Sequence, residues 1–235
     1  MATKKNNALN YDGEIPVSLK GQPFFGIKLD PEQEEAVDAI WNDDNDIIFI
    51  NAVAGTGKTL IATGTAEILH GYGKFENIIY IMSPCSDRQG FLPGTITEKS
   101  SVYFEAFYQA LVKIGVDPRR VISDESMVNQ KYGTGHIQCI TDTYLRGSNF
   151  ENAVLILDES QNFPVSELKK TLTRACDSTK VIVIGHDKQC DLSDKSKSGF
   201  TKYIEHFRGK ERCAICSLTT NHRGWVSQWA DELEE

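Results

Sequence analysis

A glycine-rich segment, Ala-Val-Ala-Gly-Thr-Gly-Lys-Thr at residues 52–59, follows directly on an apolar run at residues 47–50. A strand that leads into a turn ending in Gly-Lys-Thr is typical of a phosphate-binding P-loop. Gly55 and Gly57 allow successive backbone N–H groups to turn toward one polyphosphate without a clash from a Cβ atom. The helix that follows adds the positive end of its dipole to this anion site. The segment therefore predicts a nucleotide-binding site.

The last residues of this loop have expected partners on the nucleotide. We expect Lys58 to reach the β- and γ-phosphates and the Thr59 hydroxyl to bind Mg²⁺. The loop departs from the strict pattern at its first position, where alanine replaces glycine, and we expect the small Cβ to fit. The predicted nucleotide-binding segment comprises Ala52, Val53, Ala54, Gly55, Thr56, Gly57, Lys58 and Thr59.

A second motif consists of four apolar residues, 154–157, that lead into the adjacent carboxylates Asp158 and Glu159. A continuous apolar run is typical of a buried parallel strand, and charges are expected at its end. Asp158 would hold Mg²⁺, directly or through water, and Glu159 would orient and deprotonate an attacking water. The alternative is a strand that ends in a solvated Asp-Glu turn.

The composition of the 235-residue chain, with 40% hydrophobic and 25% charged residues, is typical of a soluble globular protein. No apolar stretch reaches transmembrane length, and the first residues lack the apolar core of a secretory signal. We therefore expect a cytoplasmic protein without a membrane partner. The net charge of −8 argues against a surface that coats nucleic acid throughout, although it permits a local basic groove.

Two groups of residues allow either a functional or a structural interpretation. Cys213 and Cys216 have the spacing of a redox or zinc pair, but no second pair lies nearby, so buried structural thiols are the alternative. Several basic residues form either a nucleic-acid patch or ordinary solvated faces. Three of them are expected to share one helix (Lys169, Lys170 and Arg174), and three follow in a loop and helix start (Lys195, Lys197 and Lys202).

Along the chain, apolar runs alternate with helical patterns. Residues 1–28 are polar with prolines and glycines, so we expect an extended or partly disordered arm, followed by a single domain over residues 29–235. Strands are predicted at 47–50, 78–82, 136–140, 154–157, 181–184 and 214–218, and helices at 31–41, 58–70, 101–114, 165–175, 199–206 and 225–234. This alternation predicts a doubly wound, mostly parallel sheet in a three-layer α/β/α arrangement, with ligands at the carboxyl ends of the strands.

Three further stretches resemble motifs of superfamily one helicases. Residues 29–33, Leu-Asp-Pro-Glu-Gln, resemble the glutamine motif, which implies that Gln33 pairs with adenine. Residues 158–161 resemble the Asp-Glu-x-Gln box. Residues 185–189 resemble the motif whose glutamine senses the γ-phosphate, which implies that role for Gln189, although His186 replaces the motif's aspartate. Because no Asn-Lys-x-Asp guanine motif is present, ATP is favoured over GTP.

The ordered set of motifs resembles the PhoH-like family of P-loop ATPases. Its most specific part is Gly-Phe-Leu-Pro-Gly at residues 90–94, with Glu98 and Lys99 close behind. Matching segments follow at residues 145–147, 172–174 and 198–200. The resemblance spans residue 29 to the C-terminus. It implies a RecA-like P-loop NTPase core that hydrolyses ATP, with links to phosphate starvation and to RNA metabolism or helicase-like activity.

Near the C-terminus, residues 218–224 resemble a helicase motif whose arginine contacts the γ-phosphate. The resemblance implies that Arg223 is a catalytic arginine finger that stabilises the developing charge. An arginine in a surface turn is the alternative. The PhoH-like pattern has an Arg-His pair in this region, whereas the order here is His222-Arg223, so either residue is a candidate for the match.

Together these motifs predict a Mg²⁺-dependent ATP hydrolase coupled to single-stranded nucleic acid, with RNA favoured. A single RecA-like domain cannot open and close on a strand, so a motor needs neighbouring subunits; we expect a homo-oligomer, a hexameric ring, in which Arg223 acts on the adjacent subunit. The alternative is a slow nucleotide-gated switch that acts through protein partners. A small-molecule kinase is disfavoured, because residues 195–198 are too short for an arginine-bearing lid.

Overall fold

The computed structural model describes residues 11, 13–83, 104–123, 135–141 and 149–231. Motif residues 90–94, 98–99 and 145–147 lie outside this part of the chain. The strands are β1 (Ile47–Ala52), β2 (Asn77–Met82), β3 (Ile137–Thr141), β4 (Ala153–Asp158), β5 (Thr179–Gly185) and β6 (Cys213–Leu218). The helices are α1 (Pro31–Trp41), α2 (Lys58–Gly71), α3 (Glu105–Lys113), α4 (Pro118–Val121), α5 (Val165–Leu172), α6 (Phe200–Phe207) and α7 (Trp225–Asp231).

The described strands form one six-stranded sheet in the order β3-β2-β4-β5-β1-β6. Every neighbouring pair is parallel; Ile50 of β1, for example, is in register with Ile184 of β5 and with Cys216 of β6. All residues of β4 and β5 are buried, which explains why these strands are continuous apolar runs. The sheet confirms the doubly wound α/β prediction.

Helices cover both faces of the sheet, because successive strand side chains point to opposite faces. On β1, Ile48 and Ile50 belong to the core beneath α1, α2 and α3, whereas Ile47 and Phe49 belong to the core beneath α5 and α6. This alternation produces the three layers expected of a RecA-like P-loop fold. It also brings the loops that follow β1, β4 and β5 to one edge of the sheet.

One predicted helix boundary was wrong, and the difference changes which basic residues share a helix. The prediction for α5 extended to residue 175, but the helix ends at Leu172. The chain turns there because Phe150 donates its N–H to the Arg174 carbonyl and pairs with Ala175 in a short parallel bridge. Arg174 therefore does not share a helix with Lys169 and Lys170. All six predicted strands are present; β3 is shifted by one residue, and the others are one to three residues longer than predicted.

The described part of the expected arm packs on the domain rather than extending away from it. Trp41 of α1 donates its indole N–H to the Pro16 carbonyl at 2.9 Å. Leu19 and Phe24 are buried in the core with α1 and α2. Gly64 of α2 allows this packing, because a Cβ there would lie 2.5 Å from the Phe24 ring. Apolar anchors between the polar residues explain the difference from the sequence prediction.

The Cys213–Cys216 spacing does not form a metal or redox pair. Cys213 packs against the core beneath α5 and α6, and Cys216 packs against the opposite core, so the thiols lie on opposite faces of β6. Burial raises the pKa of both thiols, that of Cys216 to about 11. Among the described residues, no group of three or more His, Cys, Asp or Glu side chains could hold a metal ion. None of the described helices has the length and apolar character needed to span a bilayer.

Candidate nucleotide-binding site

A cavity of about 480 Å³ opens beside the P-loop. Its walls are residues 27–29, Gln33, residues 55–60, one side of α3, Glu159 and residues 222–223. Most of the predicted site residues therefore face one space. Ala52 is buried at the end of β1, and neither it, Val53 nor Ala54 is among the cavity-lining residues, so their part in nucleotide binding stays a prediction.

The P-loop has the backbone geometry that its glycines predicted. Gly55 and Gly57 have φ angles of 77° and 78°, in the left-handed region that favours glycine. Close approach also favours glycine at position 55, since a Cβ there would lie 2.5 Å from the Asn221 side chain. The Thr56 hydroxyl donates to the Val53 carbonyl at 3.1 Å and folds the loop back on itself. The turn leads directly into α2, which begins at Lys58.

The predicted Mg²⁺ ligands lie in direct contact. The Thr59 hydroxyl donates to Asp158 Oδ2 at 2.7 Å, and the Tyr80 hydroxyl donates to the same oxygen at 2.7 Å. Burial raises the pKa of Asp158, with a contribution from the negative charge of Glu159, while Lys58 and the hydroxyl donors act in the opposite direction. A hydroxyl and a carboxylate at the end of a phosphate loop are hard oxygen donors of the kind that Mg²⁺ prefers, so these residues fit the ion.

Glu159 lies across the cavity from the P-loop lysine. Its backbone adopts a left-handed conformation with φ of 50°, which is uncommon outside glycine. One carboxylate oxygen accepts a hydrogen bond from the Gln161 amide at 2.6 Å, and the other lies 3.6 Å from Lys58 Nζ. The Gln161 side-chain oxygen in turn accepts a hydrogen bond from the backbone N–H of His186 at 3.0 Å. Gln161 therefore links the end of β4 to the end of β5.

The Gln33 amide is already engaged within the protein. Its Nε2 donates to the Thr56 carbonyl at 2.7 Å, and its oxygen accepts from the Asp30 N–H at 3.1 Å. The second bond belongs to a capping box at the start of α1. Gln33 lines the cavity as predicted. These two bonds use one N–H and one lone pair of the oxygen, so the amide keeps a second donor and a second acceptor for an adenine edge.

His222 and Arg223 line the cavity of their own chain. The imidazole of His222 pairs with Asp30 Oδ2 at 2.7 Å, while Arg223 is exposed and its backbone N–H donates to the Asn221 side chain. The arginine is therefore available to a nucleotide in the same chain. Action on an adjacent subunit stays a prediction.

Gln189, the predicted γ-phosphate sensor, binds a carboxylate instead of facing the cavity. Its amide donates to Asp231 Oδ1 at 2.5 Å, and Asp231 Oδ2 accepts from the Ala54 N–H at 3.4 Å. His186, which replaces the aspartate of the helicase motif, is buried nearby, with its Nδ1 4.0 Å from Asp231. No sequence pattern pointed to Asp231, because a single acidic residue on a terminal helix is common.

Comparison with known proteins identifies related sequences. The sequence model of the family described as PhoH-like protein matches residues 27–227. The chain is 34% identical over 195 residues to Protein PhoH of Escherichia coli, covering 75% of this chain and 52% of that protein. It is 33% identical over 208 residues to the PhoH-like protein of Mycobacterium leprae, covering 86% of this chain and 57% of that protein. The chain thus spans about half the length of these relatives.

Among solved structures, the large terminase of bacteriophage HK97 superposes with a TM-score of 0.50 and 16% sequence identity. The match covers 84% of this chain and 40% of the terminase. At this identity the likeness shows a shared fold. It supports the assignment of the sheet and its surrounding helices as a RecA-like P-loop core.

Proposed function

Because the chain belongs to the PhoH-like protein family and its Gly-Lys-Thr loop meets an Asp-Glu pair at one cavity, we propose that it binds Mg²⁺-ATP and hydrolyses it to ADP and phosphate. The observation that carries this proposal is the double contact between the two motifs. Thr59 bonds Asp158 at 2.7 Å, and Lys58 lies 3.6 Å from Glu159. A solvated Asp-Glu turn would not bring both carboxylates to the phosphate loop.

Binding depends on the charge and backbone donors of the loop. The N–H groups around Gly55 and Gly57 and the Lys58 ammonium bind the phosphates, while Thr59 and Asp158 hold Mg²⁺. When bound, Mg²⁺ neutralises charge on the phosphate oxygens as the terminal bond breaks. Lys58 must exchange its contact with Glu159 for the phosphates, which leaves the Glu159 carboxylate available to water.

Glu159 is the proposed general base. It accepts a proton from the attacking water, whose oxygen bonds to the γ-phosphorus as the bond to the ADP oxygen breaks. Gln161 holds the carboxylate through its 2.6 Å hydrogen bond. Arg223, on the cavity wall, supplies positive charge to the transition state. Gln33 would contact the adenine edge through its second N–H and the second lone pair of its oxygen, and Gln189 would contact the γ-phosphate after it releases Asp231.

The finer part of the proposal is coupling to single-stranded nucleic acid, with RNA favoured, by a cytoplasmic homo-oligomer such as a hexameric ring. Lys169 and Lys170 on α5 and the turn at Lys195–Lys197 supply positive charge near one another, because Pro164 and Ser198 pair in a short bridge. Lys170 and Lys197 also pair with the local acids Glu167 and Asp194, which reduces the charge available to phosphates. Stimulation by nucleic acid therefore needs direct measurement.

A slow nucleotide-gated switch is the second candidate. It is favoured by the Asp231 carboxylate, which joins α7 to a P-loop N–H and to Gln189. A bound polyphosphate would compete with this carboxylate for the same donors and would repel it. The position of α7 would then depend on the nucleotide, as a switch that acts through protein partners requires.

The test is Lys58→Ala, measured by titration calorimetry with Mg²⁺-ATP and by phosphate release. We expect loss of detectable ATP binding and turnover, because Lys58 is the lysine of the loop that lines the cavity beside Glu159. Lys74→Ala is the matched control, since Lys74 pairs with Asp43 away from the cavity. Unchanged ATP affinity in Lys58→Ala would overturn the proposal.

The same assay distinguishes a motor from a switch. Phosphate release is measured with and without single-stranded RNA and DNA, and the solution mass is determined in parallel. Stimulation by either nucleic acid supports coupling, and the difference between them reports the preference. A hydrolysis rate that neither nucleic acid changes supports the switch.

A further inference from the structure

A buried tyrosine on a neighbouring strand bonds the same oxygen of the predicted Mg²⁺ ligand as the P-loop threonine. Tyr80 lies on β2, the neighbour of β4 in the sheet, and its hydroxyl donates to Asp158 Oδ2 at 2.7 Å. Both side chains are almost completely buried, with 1% of each residue exposed. A hydroxyl in that position can donate only to a partner fixed by the fold, and a hydrogen bond to a charged group is stronger than one between neutral groups.

The tyrosine ring is itself fixed by a helix that borders the cavity. It stacks on Phe107 of α3 with ring centroids 4.2 Å apart, and Phe104 meets it edge-on at 6.0 Å. The other side of α3 lines the cavity with Gln109 and Lys113 among its residues. Tyr80 thus lies between the wall of the nucleotide cavity and the carboxylate at its end.

We propose that Tyr80 is a positioning residue that holds Asp158 in the orientation needed to bind Mg²⁺ together with Thr59. This inference rests on the proposed function. Asp158 Oδ2 accepts from both hydroxyls, whereas Oδ1 accepts from the Glu159 N–H at 2.8 Å. When Thr59 turns its hydroxyl toward the ion, Tyr80 and the Glu159 N–H still hold one oxygen each. The carboxylate then keeps its orientation without the threonine.

Two opposing effects decide the outcome when the tyrosine hydroxyl is removed. Loss of a donor leaves more negative charge on the carboxylate, which favours a cation. Loss of the same bond frees the carboxylate to rotate, which disfavours a defined octahedral site. Partners that orient metal ligands typically change metal affinity by about 10- to 100-fold when they are removed. Once Thr59 has turned to the ion, removal of the Tyr80 hydroxyl leaves the Glu159 N–H as the remaining donor to the buried carboxylate, so we expect the loss of orientation to dominate.

The experiment is Tyr80→Phe, which keeps the ring on Phe107 and removes only the hydroxyl. ATP affinity is measured by calorimetry as a function of Mg²⁺ concentration and again with excess EDTA. We expect the Mg²⁺ concentration at half-maximal enhancement of ATP binding to rise about tenfold, with no change in affinity in EDTA. A merely structural role would lower the thermal midpoint without changing this Mg²⁺ dependence.

Tyr203→Phe is the matched control, because Tyr203 packs against the opposite core beneath α6. If Tyr80→Phe does not fold, Phe107→Leu is the second variant, because it loosens the ring stack and keeps the hydroxyl. It should raise the Mg²⁺ concentration at half-maximal enhancement of ATP binding by less than about tenfold. An unchanged or lower Mg²⁺ requirement in the folded variant overturns this inference and leaves the proposed function standing. A wild-type chain whose ATP affinity ignores Mg²⁺ refutes the proposed function as well.

Discussion

The two ends of the sheet both bury polar groups, but they provide them with different partners. At the amino ends of the strands, Lys180 donates to the backbone carbonyls of Asn42 and Asn45 at 2.8 and 2.7 Å. Burial lowers the pKa of this lysine to about 8. At the carboxyl ends, Asp158 and Glu159 bond chiefly to side chains, several of which line an open cavity.

This difference separates structural polar groups from those of the proposed site. Carbonyl partners at the amino end belong to the backbone of the turn between α1 and β1, so they move only when that turn moves. Side-chain partners at the carboxyl end can exchange: the 3.6 Å contact of Lys58 with Glu159 is too long for a hydrogen bond, so phosphates can replace it. Burial of a charge alone therefore does not identify a site. Exchangeable partners beside a cavity do.

The largest expected effect is on the rate of ATP hydrolysis, and it is tested with one arginine from each end of the sheet. Arg223→Ala should reduce ATP hydrolysis by about 10³-fold, the lower end for arginine fingers, with ATP affinity largely retained. Arg212→Ala, which removes an ion pair with Asp46 at the amino end, should leave hydrolysis unchanged. Single-turnover phosphate release measures both. Equal rates for the two variants would remove the distinction between the ends.

The same variant tests whether the arginine acts within its own chain. Mixing Arg223→Ala with Glu159→Gln subunits restores some complete sites only if the arginine crosses to a neighbour. Recovery of activity after subunit exchange would support the predicted action in trans. No recovery, despite demonstrated exchange, assigns the arginine to the cavity that it lines in its own chain.

The next largest effect on hydrolysis is tested with two glutamates, one at each end of the sheet. Glu159→Gln should retain Mg²⁺-ATP binding and slow hydrolysis by about 10²-fold or more, because it removes the proposed general base while keeping the shape of the side chain. Glu67→Gln, at the end of α2, removes a carboxylate that pairs with His136 and should affect stability rather than turnover. Turnover at the wild-type rate in Glu159→Gln would require another base.

The sequence predicted the motifs at the carboxyl ends of the strands better than it predicted the side chains that contact them. Apolar runs identified each strand, and the Gly-Lys-Thr and Asp-Glu motifs identified the phosphate loop and the carboxylates, because both motifs are local in sequence. Tyr80 and Asp231 were missed because their partners lie 78 and 177 residues away. Phe24 was missed for a similar reason, since a lone aromatic residue in a polar segment does not show what it packs against.

A smaller effect concerns Asp231, whose carboxylate lies beside the P-loop. Asp231→Asn should tighten ATP binding by about two- to fivefold, because a negative charge near the phosphates is removed while hydrogen bonding remains feasible. Asp46→Asn at the amino end should leave the affinity unchanged. Calorimetry with ATP and with ADP measures both. Weaker ATP binding in Asp231→Asn would mean that the carboxylate supports the loop rather than competing with phosphates.

The smallest effect belongs to two stacked histidines at the amino end. His70 lies at the end of α2, with its ring 3.8 Å from that of His136 and its Nδ1 3.1 Å from the Phe75 carbonyl. Burial lowers the pKa of His70, and the neighbouring His136 lowers it further. Glu67, which pairs with His136, acts in the opposite direction on His70.

Acid should therefore weaken the fold at this end. Because the folded pKa of His70 lies below its unfolded value, the unfolded chain binds more protons as the pH falls through about 6.5, and the free energy of unfolding decreases. His70→Asn keeps a donor for the Phe75 carbonyl and removes the titration. Urea unfolding from about pH 7.5 to about pH 5.5 should show a smaller loss of stability in this variant than in the wild type. An identical loss in both would place the acid sensitivity elsewhere, and ATP affinity should be unchanged because the pair lies away from the cavity.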